Sequence, residues 1–146
     1  MNWIRNMLRY FYKINKKHMT KLGLDYRVYL LQYPARSIGS GGITTYEKPV
    51  VVNLPRAVMV PFAAYRFGRV FGEQLNRQFR GEYKDGDNIL FVDKKLLHDN
   101  DIDIDLELDR IQWDTNQYKL IREGKYPHYM MVGLYLARRV AEAFED

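Results

Sequence analysis

Residues 98–121 read HDNDIDIDLELDRIQWDTNQYKLI, with Asp99, Asp101, Asp103, Asp105, Glu107 and Asp109 on alternate positions and no base within 99–109. Carboxylates this dense suit three kinds of chemistry: a hard-cation site, a general acid–base pair, or an electrostatic contact. A calcium loop of the EF-hand type needs glycine at its sixth position and glutamate at its twelfth. A frame opened at Asp99 places Ile104 and Arg110 there, and frames opened at Asp103 or Asp105 place Leu108 or Arg110 at the glycine position. The acids instead alternate with Ile102, Ile104, Leu106 and Leu108. That period of two belongs to an extended backbone, with the apolar set turned inward and the acids outward. Three readings of the outward acids stay open: a solvated face, a contact between subunits, and a metal site.

Other reactive groups are sparse. The chain has no cysteine, which removes disulfides, thiolate nucleophiles and thiolate metal sites. His18, His98 and His128 lie far apart and form no motif. Two carboxylates do acid–base work when burial splits their affinities for the proton, and the acidic strip carries no sign of such burial. No nucleophile elbow, zinc helix, phosphate loop or dinucleotide fingerprint is present. The residues therefore argue against an enzyme, and no cofactor and no metal is assigned.

The net charge is +5, and its distribution is uneven. Residues 1–21 hold Arg5, Arg9, Lys13, Lys16, Lys17 and Lys21 and no acid. In the same stretch Trp3, Ile4, Met7, Leu8, Phe11 and Ile14 recur at spacings of three and four, continuing to Leu22, so the pattern predicts an amphipathic helix that Gly23 ends. Its basic face would suit a phosphate backbone, aided by Arg77 and Arg80 near RFGRVF, yet no sequence-specific nucleic-acid module is recognisable. The helix also fits a membrane surface, its own domain or a partner. No apolar run is long enough to span a bilayer and the N-terminus lacks the order of a signal peptide, so an intracellular protein without a membrane partner is expected. A basic end and an acidic strip allow head-to-tail self-association, or one patch folded onto the other.

The elements that would hold these groups are mostly strands. At 146 residues, 47% hydrophobic and 14% aromatic, the chain suits one packed core. Residues 26–33 read as a strand limited by Pro34, and the glycine-rich loop 37–45 reads as a hairpin tip or flexible loop. Pro49, Pro55 and Pro61 interrupt β-branched runs and belong at strand ends or on edges. Residues 67–79 read as a short helix or an ordered loop. A DGD turn delivers a strand over 89–92, and 110–113 and 117–121 form a strand pair across a turn at 114–116. The tail 129–144 fits a strand in its first part or a helix in LARRVAEAF. The predicted fold is mainly β with α: a small β-barrel over 25–146, an amphipathic helical arm over 1–24, and a C-terminal helix as one of two readings of the tail.

The order of residues 81–121 resembles the head-closure (head–tail joining, or stopper) proteins of tailed bacteriophages. That family commonly ends a small barrel with aspartate, arginine, a hydrophobic residue, then tryptophan, a short turn and tyrosine. Here the pattern is Asp109, Arg110, Ile111, Trp113, Asp114, Tyr118, Lys119 and Leu120. The likeness covers roughly residues 55–125, and Asp-Thr-Asn replaces the family's glycine-rich turn, with Asn116 able to take the left-handed conformation. With the periodicity, it implies a barrel burying Ile89, Phe91, Ile111 and Leu120, with Trp113 and Tyr118 paired across the hairpin. It further implies a homo-oligomeric ring beneath the portal or adaptor ring, meeting tail proteins and transiently the packaged DNA, in a virion neck assembled in the host cytoplasm. Ser37, Gly39, Gly41 and Gly42 would then form a channel or docking loop. Arg5, Arg9, Lys13, Lys16 and Lys17 would face partners, as would Asp101, Asp103, Asp105 and Glu107. Alternatives are another neck or tail-completion protein, or a non-enzymatic β-domain with an interaction helix and non-specific nucleic-acid contact.

Overall fold

The computed structural model describes residues 3–33, 37–38, 44–45, 48–61, 79, 82, 84, 86–124 and 131–140. Helix α1 runs from Trp3 to Lys21, a stretch free of glycine and proline. It ends where Gly23 takes φ +75°, with Gly23 N–H donating to the Thr20 carbonyl and Leu24 N–H to the Met19 carbonyl. This pair of bonds satisfies carbonyls the helix leaves open, and glycine enters the left-handed region without a side-chain penalty.

The strands are β1 (Tyr29–Gln32), β2 (Ser37–Ile38), β3 (Thr44–Thr45), β4 (Val50–Asn53), β5 (Val58–Pro61), β6 (Asn88–Asp93), β7 (Arg110–Trp113), β8 (Asn116–Glu123) and β9 (Val132–Arg139), with a short helix α2 (Lys94–Asp99) after β6. Seven of the strands form one antiparallel sheet in the order β4-β1-β7-β8-β9-β6-β5, curled as a half-barrel, and β2 pairs with β3 separately. The fold is thus mainly β with an N-terminal helix. A register shift between Leu120 and Arg122, where β8 meets β9, adds local twist to the curl. Pro49 and Pro55 flank β4, and Pro61 closes β5, so the prolines sit on the outer strands, where a missing N–H breaks no ladder.

Both faces of the sheet are buried around β6, all of whose residues are buried. Leu90 and Val92 join Leu30, Met59, Ile111, Tyr118 and Leu120 on one face. Ile89 and Phe91 point the other way, with Val58, Leu134 and Leu136, against Leu8 of α1. This corrects the expected single barrel core: Ile89 and Phe91 belong to one layer, and Ile111 and Leu120 to the other. The continuous run ILFV already carries the pattern of a strand covered on both sides.

The helix also departs from its expected stripe. Leu8 and Met19 are buried and Met7, Phe11 and Tyr12 partly so, whereas Ile14 is 47% and Leu22 60% exposed. Through Leu8, Met7, Phe11 and Tyr12, α1 packs on the sheet. In the tail, Leu136–Arg139 belong to β9, so the strand reading holds there and the helix reading of these residues is corrected. Residues 141–144 lie outside the described residues, as do 67–78 of the segment read as helix or loop.

Candidate functional site

The acidic strip is neither a strand nor a sheet edge. The outer strands are β4 and β5, and residues 100–109 form a connection from α2 to β7. Asp93 caps α2, its Oδ1 accepting from the N–H groups of Lys95 and Leu96 at 3.1 and 3.3 Å. At the far end Asp101 takes φ 53°, its N–H donating to the His98 carbonyl while Ile102 N–H donates to that of Leu97. The motif is the one that ends α1, with aspartate where α1 uses glycine, a residue type that tolerates the left-handed region through its short polar side chain. Asp101 therefore serves the chain's own path.

Beyond it the alternation survives briefly. Ile102 and Ile104 pack against the inner core, and Asp101, Asp103 and Asp105 are exposed. Gln32 Nε2 donates to the Asp103 carbonyl at 3.0 Å, tying the segment to β1. The period then breaks in a turn: Asp105 Oδ1 accepts from the N–H groups of Glu107 and Leu108 at 2.9 and 3.1 Å. Asp109 is buried, and its Oδ2 accepts from Asp105 N–H at 2.9 Å. Of the predicted contact acids, Asp101, Asp103 and Glu107 are exposed, and their carboxylates meet no hydrogen-bond or ion-pair partner among the described residues. Among those residues no cluster of three or more His, Asp or Glu comes together to hold a metal ion.

Burial pushes the Asp109 carboxyl above its ordinary range; the backbone donors at Asp105 and Tyr33 oppose that rise and the Asp105 charge adds to it. A carboxyl raised on folding contributes most below its unfolded value, and the contribution is lost as pH rises through the folded value. Asp109→Asn is therefore expected to gain on the wild type as pH rises through that window. Asp109→Ala leaves the donors without an acceptor and is expected to cost about 1–3 kcal/mol. Urea unfolding at several pH values checks both.

On the basic side, Arg9, Lys13 and Lys17 follow one another at successive turns of α1 and are exposed. Lys16 is committed within the chain, its Nζ 5.2 Å from the centre of the Tyr26 ring. The side chain of Arg5 lies outside the described residues, as do Gly39, Gly41 and Gly42. Ser37 starts β2 and pairs with Thr45, with Ile38 opposite Thr44, so the glycine-rich loop has a two-stranded base.

The β7–β8 hairpin carries the remaining predicted residues. Ile111 pairs with Tyr118 and Trp113 with Asn116, so Trp113 and Tyr118 are diagonal neighbours, ring centres 6.5 Å apart. Asp114 and Thr115, both at positive φ, make the two-residue turn, whereas Asn116 already belongs to β8. The left-handed residues are thus one and two positions earlier than expected.

Beside the acidic segment lies a cleft of about 300 Å³ that the motifs did not indicate, lined by apolar Leu97, Ile102 and Ile104 together with Lys94, His98, Asp103, Glu123 and Tyr135. Lys94 Nζ pairs with Glu123 Oε1, and the Tyr135 hydroxyl bonds the same carboxylate, its pKa raised by burial and then by that negative charge. Lys94 is placed by its N–H, which donates to the Met131 carbonyl at 2.8 Å, and by Gly133. A Cβ at Gly133 would lie 2.9 Å from Lys94 Cε and 2.8 Å from Val92 Cγ2. A lone glycine inside an apolar strand run is the signal that marks such close approach.

The chain matches no protein-family model and no curated protein. Its fold is similar to the solution structure of protein SF1141 from Shigella flexneri 2a, at 14% sequence identity and a TM-score of 0.50, over 82% of this chain and 96% of that one. At that identity the likeness concerns the fold alone. No described helix is long and apolar enough to cross a membrane.

Proposed function

We propose that the protein is a structural component of a tailed-bacteriophage neck, oligomerising beneath the portal to close the DNA channel and join head to tail. One observation carries the assembly part of this reading. The basic helix and the acidic segment lie on opposite faces of the sheet: α1 packs on the layer of Ile89 and Phe91, and Ile102 and Ile104 pack on the layer of Leu90 and Ile111. Two patches of opposite sign held apart in this way do not neutralise one another within one chain, and no ion pair joins them among the described residues. Each can be satisfied by a second copy, and a head-to-tail contact of this type generates a ring when its rotation closes. The resemblance of the β7–β8 residues to head-closure proteins supplies the place in the virion.

Mass in solution, measured by light scattering across salt and protein concentration, tests the reading first. Oligomers of defined size that dissociate as salt rises are expected, because charge contacts weaken when screened. A chain that stays monomeric at every salt concentration and also fails to bind a portal ring would overturn it.

A further inference from the structure

We propose that the cleft beside the acidic segment receives a lysine side chain, Lys13 or Lys17, from helix α1 of a second copy. The inference rests on the ring reading above and names the contact that would build the ring.

The cleft suits an ammonium group on an apolar stem. Leu97, Ile102 and Ile104 provide an apolar wall along which a four-carbon chain can lie, and a volume of about 300 Å³ leaves room for one side chain. At the polar end Lys94 already offsets Glu123, so the attraction comes from Asp103 in the lining and from the acids beside it. Residues 99–109 contribute Asp99, Asp101, Asp105 and Glu107 to that field and no base. A cation is favoured at such a rim and an anion is repelled.

The helix offers the complementary half. Lys13 and Lys17 lie one turn apart on the exposed side of α1, whereas the Lys16 ammonium sits over the Tyr26 ring. Beside them Tyr10 and Ile14 are 61% and 47% exposed, apolar groups that the fold itself leaves uncovered. On the acidic side Leu106 is likewise exposed. Each surface thus pairs charge of one sign with uncovered apolar side chains, the composition of a contact that both steers and holds.

Because the chain has no native cysteine, the contact can be read by disulfide trapping without removing a charge. A chain carrying Leu106→Cys is mixed with one carrying Tyr10→Cys or Ile14→Cys, and separately with one carrying Val51→Cys, an exposed and uncharged site on β4 used as the reference. Circular dichroism confirms that each variant is folded. Mild oxidation is expected to yield severalfold more mixed dimer with the helix cysteines than with the reference, and Lys13→Glu with Lys17→Glu is expected to abolish the excess. Yields no higher than the reference would overturn the proposal. If light scattering then still finds salt-sensitive oligomers, the cleft contact alone fails; if the chain is monomeric and ignores a portal, the ring reading fails with it.

Discussion

Arg138→Ala is expected to destabilise the fold by about 3 kcal/mol, the lower end of the range for breaking a buried ion pair by removing one partner, since Asp87 is buried while the Arg138 side chain is 24% exposed. The guanidinium reaches Asp87 through two bonds of 3.0 Å, Nε to Oδ1 and Nη2 to Oδ2, and donates from Nη2 to the Glu82 carbonyl at 2.8 Å. Asp87 is 2% exposed, and its Oδ2 also accepts from Lys84 N–H at 2.9 Å. Without the arginine a buried carboxylate keeps one backbone donor and no cation among the described residues. The pair spans the turn before β6 and the end of β9, so the damage falls where the two strands are zipped together. Replacing both partners, Arg138→Met with Asp87→Leu, is expected to recover much of the loss, because the cost lies in the orphaned charge more than in the missing attraction. Urea unfolding of the two variants beside the wild type separates these contributions. Equal losses in single and double variants would show that the latch acts through packing instead.

The second large effect is expected at Phe91. Its ring is 2% exposed in the layer between β6 and α1. Phe91→Ala leaves a cavity there and is expected to cost about 3–5 kcal/mol. Its distinguishing mark is local: amide exchange should accelerate along α1 before the sheet opens, since the helix is held chiefly by Leu8, Met7, Phe11 and Tyr12 on this layer. Ile111→Ala, on the opposite layer, should weaken the sheet while leaving α1 docked. Equal exchange in the two variants would argue that both layers open as one.

How far the sequence carried depends on whether a signal was local. The helix and its glycine stop, the hairpin after Asp109 and the edge placement of the prolines all follow from side-chain period, φ preference and a missing N–H, each read within a few residues. The acidic strip was harder because one period served two backbones. Ile102 and Ile104 do turn inward, but the acids between them are spent on different tasks: Asp101 ends a helix, Asp105 makes a turn and Asp109 is buried. Nothing in an alternating string distinguishes these uses. The cleft was hidden for another reason. Lys94, Glu123 and Tyr135 come from three separate elements, and only the sheet order brings them together. Gly133 was the visible trace, since a glycine amid VGLYL weakens a strand unless something passes close by. Ile89, Phe91, Ile111 and Leu120 are all buried as expected, and only their division between two layers was hidden, because a covering helix gives β6 a second buried face.

The strand order has a consequence for synthesis. β9, the last strand of the sheet along the chain, lies between β8 and β6 in its middle. Until residues 132–139 emerge from the ribosome, β7–β8 and β5–β6 are separate fragments, each with an unpaired inner edge, and β6 is apolar on both sides. Such edges are templates for pairing with other nascent chains. Closing the sheet early is impossible by topology, so a chain truncated before residue 132 is expected to leave two fragments with open edges.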